Sequence, residues 1–160
     1  MLEECGLSVA FHASRGFVYT TNSNGPDASS VTAFQIDSAA FLTPVIGSPF
    51  PTNGFGATAG RIDPTGRYFF VSNTDSNSIQ AFVIDQTTGA LRRVPGSPFP
   101  TPPSPSTVLI DPSGKYLYCA NTASSSVSAY LIDSDTGALT LIDSADAGVS
   151  PAFGELVSLQ

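Results

Sequence analysis

The feature that most constrains this chain is that it repeats itself. The run Ile62-Asp63-Pro64-Thr65-Gly66-Arg67-Tyr68-Phe69-Phe70-Val71-Ser72-Asn73 returns as Ile110-Asp111-Pro112-Ser113-Gly114-Lys115-Tyr116-Leu117-Tyr118-Cys119-Ala120-Asn121. Asp63 and Asp111, Asn73 and Asn121, and Gly89 and Gly137 all lie 48 positions apart, so the register holds without a gap. A degraded copy, Phe11-His12-Ala13-Ser14-Arg15-Gly16-Phe17-Val18-Tyr19-Thr20-Thr21-Asn22, lies 51 positions before 62–73. The offset has fallen to 48 by Phe34 and Phe82, which puts three extra residues in the loop at 22–31 of the first copy. A fixed period near fifty residues marks a repeat architecture, in which each unit buries its apolar faces only against its neighbours.

Within a copy the pattern is β throughout. The first copy has apolar or alternating runs at 7–11, 17–21, 31–36 and 41–46, followed by Gly47-Ser48-Pro49-Phe50-Pro51-Thr52, which reads as extended. The second offers strands at 58–62, 68–72, 79–84 and 91–94, the third at 107–110, 116–120, 127–132 and 139–142. Asp-Pro-Ser/Thr-Gly supplies a turn at every position: Asp caps, Pro presets φ and Gly accepts positive φ, as expected of Gly66 and Gly114. Asp-x-x-Thr-Gly-Ala-Leu does the same for a later hairpin. No segment reads as a helix.

Four short antiparallel strands per copy make a propeller blade. A β-sandwich would not repeat its strands every 48 residues. The expected fold is therefore all-β, with blades at about 7–52, 57–101 and 105–148. Ser150-Pro151-Ala152-Phe153 matches Ser104-Pro105-Ser106-Thr107, which makes 150–160 an extra inner strand, the first of a fourth blade.

Tyr19-Thr20-Thr21-Asn22, Phe70-Val71-Ser72-Asn73 and Tyr118-Cys119-Ala120-Asn121 resemble the Tyr-Val-Thr-Asn repeats of β-propellers. With Asp-Pro-Ser/Thr-Gly-Lys/Arg-Tyr before them and Asp-x-x-Thr-Gly-Ala-Leu after, the chain looks like the lactonase-type seven-bladed propellers over about 7–157. That family holds 6-phosphogluconolactonase-like enzymes, muconate-cyclising relatives and extracellular repeat proteins. The resemblance implies a ring of seven blades, of which three are here, so the incomplete ring is either completed by oligomerisation or truncated from a larger propeller, and an isolated chain is expected to expose two blade faces and a strand edge. The shared residues are turns and core, and say little about activity.

Composition narrows the partners. A net charge of −7 with six Lys plus Arg argues against nucleic acid and anionic membrane, and no run is long enough for insertion in a bilayer. Hydrophobic content of 41% against 12% charged residues argues against disorder. Met1-Leu2-Glu3-Glu4-Cys5 is acidic where a signal peptide is basic, so the expectation is a chain kept inside or one whose leader is gone. Scarce Lys and abundant Ser, Thr and Asn suit an extracellular or periplasmic protein. Cys5 and Cys119 fit no metal spacing; Cys119 reads as a small core residue, and whether the two pair stays open.

Candidate site residues are few. His12 takes the slot of Asp63 and Asp111, which favours turn capping over catalysis. Asn22, Asn73 and Asn121 recur once per copy and are expected to cap a loop through side-chain to backbone bonds. Asp37, Asp85 and Asp133 also repeat as turn residues. Arg61 and Glu155 share the slot of Ala10 and Leu109 on the innermost strand. They are the candidate channel ligand-binding pair, with an inter-blade ion pair as the structural alternative. Arg92 and Arg93 read as a solvated face. Asp27, Asp75 and Asn77 lack calcium-loop spacing, and no zinc, phosphate-loop or nucleophile-elbow motif is present, so no metal or cofactor is expected and no catalytic residue is assigned. The leading expectation is a non-catalytic scaffold that associates with other copies of itself into a ring or fibre. Alternatives are a segment of a lactone hydrolase, whose activity would belong to the assembly, and a ligand- or protein-binding platform.

Overall fold

Residues 8–12, 14–23, 28–148 and 151 are described by the computed structural model. Blade 1 contains β1 (Val9–His12), β2 (Phe17–Asn22), β3 (Ser30–Ile36), β4 (Leu42–Pro44) and β5 (Phe50–Pro51). Blade 2 contains β6 (Ala57–Ile62), β7 (Tyr68–Asn73), β8 (Ser78–Ile84), β9 (Leu91–Arg93) and β10 (Phe99–Pro100). Blade 3 contains β11 (Pro105–Ile110), β12 (Tyr116–Asn121), β13 (Ser126–Ile132) and β14 (Leu139–Asp146). All pairings are antiparallel, and the repeat of sequence becomes a repeat of register: Val18 faces Phe34, Phe69 faces Phe82, and Leu117 faces Tyr130.

The outer strand differs from its expected form. Gly47-Ser48-Pro49 was read as extended, but Gly47 has φ +89 and the Ser48–Pro49 peptide is cis. The outer strand is split into β4 and β5, which both pair with β3. The Ser48 hydroxyl fills the break by accepting from the Ala33 amide at 2.9 Å. Blade 2 repeats the break at Gly96 (φ +85) and Ser97–Pro98. Blade 3 has no Gly-Ser-Pro after its hairpin, and β14 runs eight residues unbroken, past the expected end at 142. The extra loop residues of the first copy fall partly at 24–27, and the fragmentary fourth blade at 150–160 falls almost wholly outside the described residues.

The turns follow their chemistry. Asp63 Oδ1 accepts from the Tyr68 amide at 2.7 Å, while Oδ2 accepts from the Thr65 amide and hydroxyl. Gly66 closes the turn at φ +74, and Asp111 with Gly114 (φ +72) repeats it. His12 cannot accept in this way, and its side chain instead reaches the Gly66 carbonyl of blade 2 at 3.0 Å through Nε2. It ties two blades together rather than capping its own turn.

Blade 2 is buried on both faces, from Tyr68 through Asn73. Phe69, Val71 and Phe82 pack with Phe17, Tyr19 and Val31 of blade 1, while Tyr68, Phe70 and Ile79 pack with Leu117, Cys119 and Tyr130 of blade 3. Burial pushes the Cys119 thiol up to about 12, which keeps it protonated and inert. The joints share one device. The Phe17 ring lies on Gly89, where an added Cβ would stand 2.5 Å from a ring carbon, and the Tyr68 ring lies likewise on Gly137. Tyr19 hydroxyl donates to the Gly89 carbonyl at 2.9 Å, and Tyr68 hydroxyl to the Ser134 carbonyl at 3.2 Å. The outward faces lack this cover: Leu42 is 55% exposed, whereas Leu91 and Leu139, in the same slot of blades 2 and 3, are 8% and 7% exposed.

Gly137→Ala should therefore destabilise by about 2–3 kcal/mol, because both positive φ and the Tyr68 ring oppose a methyl. Gly114→Ala should cost only about 1 kcal/mol, since its Cβ would meet Pro64 at an ordinary 3.4 Å. Urea midpoints compare the two, and equal losses would remove the ring contact as the cause. A second expectation concerns acid. Amide bonds from Thr88 and Thr87 hold Asp85 below the ordinary carboxylate range, and Thr136 does the same for Asp133. Because the folded values lie below the unfolded ones, the unfolded chain binds more protons in that window. The contribution is complete above about pH 4 and disappears as pH falls through the folded values. Urea midpoints at about pH 6 and about pH 3 should differ less in Asp85→Asn/Asp133→Asn than in the parent.

Candidate functional site

The inner strands lie side by side, with β6 touching both β1 and β11. On them is a cleft of about 360 Å³, lined by Ser8, Thr58, Gly60, Arg61, Thr74 and Ser106 among others. Consecutive residues of one inner strand, Thr58 to Arg61 of β6, contribute to its lining. Two of its hydroxyls, those of Ser8 and Thr74, hold blades together. Gly60 amide donates to Ser8 Oγ at 3.1 Å, tying β6 to the chain just before β1. Thr58 Oγ1 lies 2.7 Å from Thr74 Oγ1, and the Thr74 hydroxyl donates to the Pro105 carbonyl of blade 3 at 2.6 Å.

Arg61 is the charged member. It is exposed, and its side chain makes no hydrogen bond or ion pair among the described residues. The inter-blade ion pair expected as its structural role thus has no carboxylate partner there; Glu155, its counterpart in the fourth copy, lies outside the described residues. A guanidinium with free donors beside hydroxyls suits a carboxylate or phosphate. No His, Asp or Glu is among the described residues lining the cleft, so what these offer is anion binding without a proton-transfer group. Among the described residues no group of three or more His, Cys, Asp or Glu could hold a metal.

The repeated asparagines sit where the repeat puts them. Asn73 Nδ2 donates to the Thr52 carbonyl at 3.5 Å and Asn121 Nδ2 to the Cys119 carbonyl at 3.3 Å, side-chain to backbone bonds of the expected kind. Asn22 Nδ2 also donates to the Thr32 hydroxyl at 2.7 Å, and Asn121 Nδ2 to the Ser128 hydroxyl at 2.7 Å, which clasps the next strand through its side chains as well. In blade 2 that hydroxyl is replaced by Gln80, which turns to the Ser97 hydroxyl at 2.6 Å. Among the described residues Asn73 Oδ1 and Gln80 Oε1, both buried, have no partner. The signal was readable, because Thr32, Gln80 and Ser128 occupy one slot at a spacing of 48.

A second cleft went unread in the sequence. Arg67, Tyr68, Arg92, Asp135 and Thr136 line about 510 Å³ between blades 2 and 3. Arg67 Nη1 donates to the Ser134 carbonyl at 3.1 Å while its guanidinium lies 5.2 Å from the Tyr68 ring centre. Lys115 covers Tyr116 at the same distance in blade 3, so blades 2 and 3 share a cation beside the joint aromatic, where blade 1 has Gly16 before Phe17.

Comparison with known proteins gives this geometry a family. The family described as lactonase, 7-bladed β-propeller, matches residues 10–153. A 6-phosphogluconolactonase of Formosa agariphila is 35% identical over 79 residues, which cover 49% of this chain and 22% of that protein. The solved structure of a Bacteroides fragilis protein assigned to the 6-phosphogluconolactonases superposes with TM-score 0.74 at 25% identity, over 89% of this chain and 38% of that one. The periplasmic gluconolactonase of Pseudomonas aeruginosa shares the fold, with TM-score 0.71 at 18% identity over 96% of this chain and 45% of that one. The matched span thus covers less than half of each of these relatives. With nearly the whole chain matched by one model and the blade geometry in agreement, the chain belongs to the lactonase family of seven-bladed β-propellers.

Proposed function

We propose that this chain is a propeller scaffold whose two open blade faces are completed by further copies of itself, in a ring or a fibre. The observation that carries the reading is the contrast at one repeated slot, where Leu91 and Leu139 are covered by a preceding blade and Leu42 is not. Val9 and Phe11 stand on the same side of blade 1, 64% and 57% exposed, and Leu131 is bare on the far side of blade 3. Fully burying a leucine side chain contributes about 1.5–3 kcal/mol, so several such residues on one face favour association. Donor and acceptor faces differ, so the contact is heterologous, closing or propagating according to its rotation. Its Ser-, Thr- and Asn-rich composition suits an extracellular or periplasmic setting.

A second reading, a lactone hydrolase assembled from such pieces, is favoured by the Formosa agariphila relative and by the unpaired guanidinium of Arg61. In that reading Arg61 binds the anionic part of a sugar-acid lactone, and the proton-transfer group comes from elsewhere in the completed ring. Light scattering across micromolar concentrations tests the first reading: mass should rise above one chain, and a monodisperse single-chain species would sink it. For the second, the assembled protein should release acid from 6-phosphogluconolactone, whose phosphate is the anionic part, above the spontaneous rate. Arg61→Met should then raise KM about tenfold or more with the fold intact, since a charge-assisted contact is lost. Acid release at the spontaneous rate would leave the scaffold reading alone.

A further inference from the structure

The cleft between blades 2 and 3 is where charge breaks the repeat. Tyr68 pairs with Val83 across β7 and β8, and Val83 with Arg92 across β8 and β9. The three form one row on the face that meets blade 3. Arg67 precedes that row, and Asp135 and Thr136 line the cleft from the hairpin of blade 3. The same positions at the joint of blades 1 and 2 hold Gly16, Phe17, Gln35, Thr43, Thr87 and Thr88, with no charged group among them. A joint can therefore be built without these charges. Yet two of the chain's six basic residues stand in this one cleft, in a protein of net charge −7.

The two arginines are engaged to different extents. Arg67 spends Nη1 on the Ser134 carbonyl at 3.1 Å and lies on the Tyr68 ring, which orients a guanidinium with donors to spare. The exposed Arg92 side chain makes no hydrogen bond or ion pair among the described residues, and neither does the Asp135 carboxylate. Guanidinium groups offer the planar fork that binds a carboxylate or phosphate. A bare anion would meet the negative charge of Asp135 from blade 3, whereas a ligand with hydroxyls can donate to that carboxylate. Val83, Pro95 and Ala138 add apolar surface to the lining, which suits the C–H face of a sugar. At about 510 Å³ the cleft has room for one.

We infer that this cleft binds a small anionic sugar, with Arg67 and Arg92 on its carboxylate or phosphate and Asp135 on its hydroxyls. The site is separate from the inner-strand cleft that holds Arg61. It needs neither reading of the chain's function, because it lies between two blades of one chain.

Titration calorimetry of the full chain carrying Arg61→Met, which silences the inner-strand cleft, tests it with gluconate, glucose 6-phosphate and inorganic phosphate. One or both sugars should bind about tenfold or more tightly than inorganic phosphate, as hydrogen bonds to a charged group provide. Which sugar binds identifies the anionic group. Adding Arg92→Met should weaken that sugar about tenfold or more, through loss of a charge-assisted contact. Asp135→Asn should erase the preference over inorganic phosphate, since repulsion of the bare anion and acceptance from hydroxyls disappear together. Arg93→Met, beside the cleft but outside its lining, should change nothing. Urea midpoints should stay with the parent's, because all three side chains are exposed. Failure of both sugars to bind would overturn the inference. So would equal affinity for inorganic phosphate, a preference kept in Asp135→Asn, binding undiminished by Arg92→Met, or an equal loss in Arg93→Met.

Discussion

A ring of one blade lying on the glycine of the next is the contact on which the rest of this structure depends. A four-stranded sheet of about 45 residues has too little surface on either face to hold its shape alone, so every blade is stable through its joints. At those joints an aromatic residue needs flat, unobstructed backbone, and Gly89 and Gly137 supply it at positive φ. Tyrosine adds a directional element: its ring contributes apolar area, and its hydroxyl finds a carbonyl across the joint. The same glycine thus turns the hairpin, admits the ring and, at Gly89, accepts the hydrogen bond.

Polar side chains reinforce the joints from the channel side. Ser8, Thr58 and Thr74 spend their hydroxyls on neighbouring strands and blades, which leaves Arg61 as the cleft's unpaired charged group. Blade 2 departs from this economy. Gln80 replaces a serine or threonine that would have received Asn73, and two buried oxygens go without partners among the described residues. Such orphans cost about 1–3 kcal/mol each. The blade that carries them is also the one covered on both sides, where burial of Phe69, Phe70 and Ile79 is complete and can offset the loss.

Much of this was legible in the residues. A spacing of 48, held without a gap by Asp63, Asn73 and Gly89, set the strand order, the hairpin turns and the pairing register, because short-range turn chemistry and period-two alternation act within one copy. The positive φ of Gly66 and Gly114 followed from the same local rules. The split outer strand did not, since Gly-Ser-Pro-Phe-Pro reads as extended until the partner strand is there to receive β5.

What the sequence determined by itself was therefore the blade: its strands, its turns and the alternation that gives it two apolar faces. Only the tertiary structure decided what each face meets. Leu42, Leu91 and Leu139 are one residue in the repeat, yet their exposure differs because burial is a property of the neighbour and not of the local pattern. His12 shows the same division. Its place in the turn was readable, but its bond to Gly66 spans 54 positions and exists only because the joint brings two turns together. Arg61 could be assigned to the inner strand from the repeat, whereas its lack of a partner among the described residues depended on how the three inner strands come side by side.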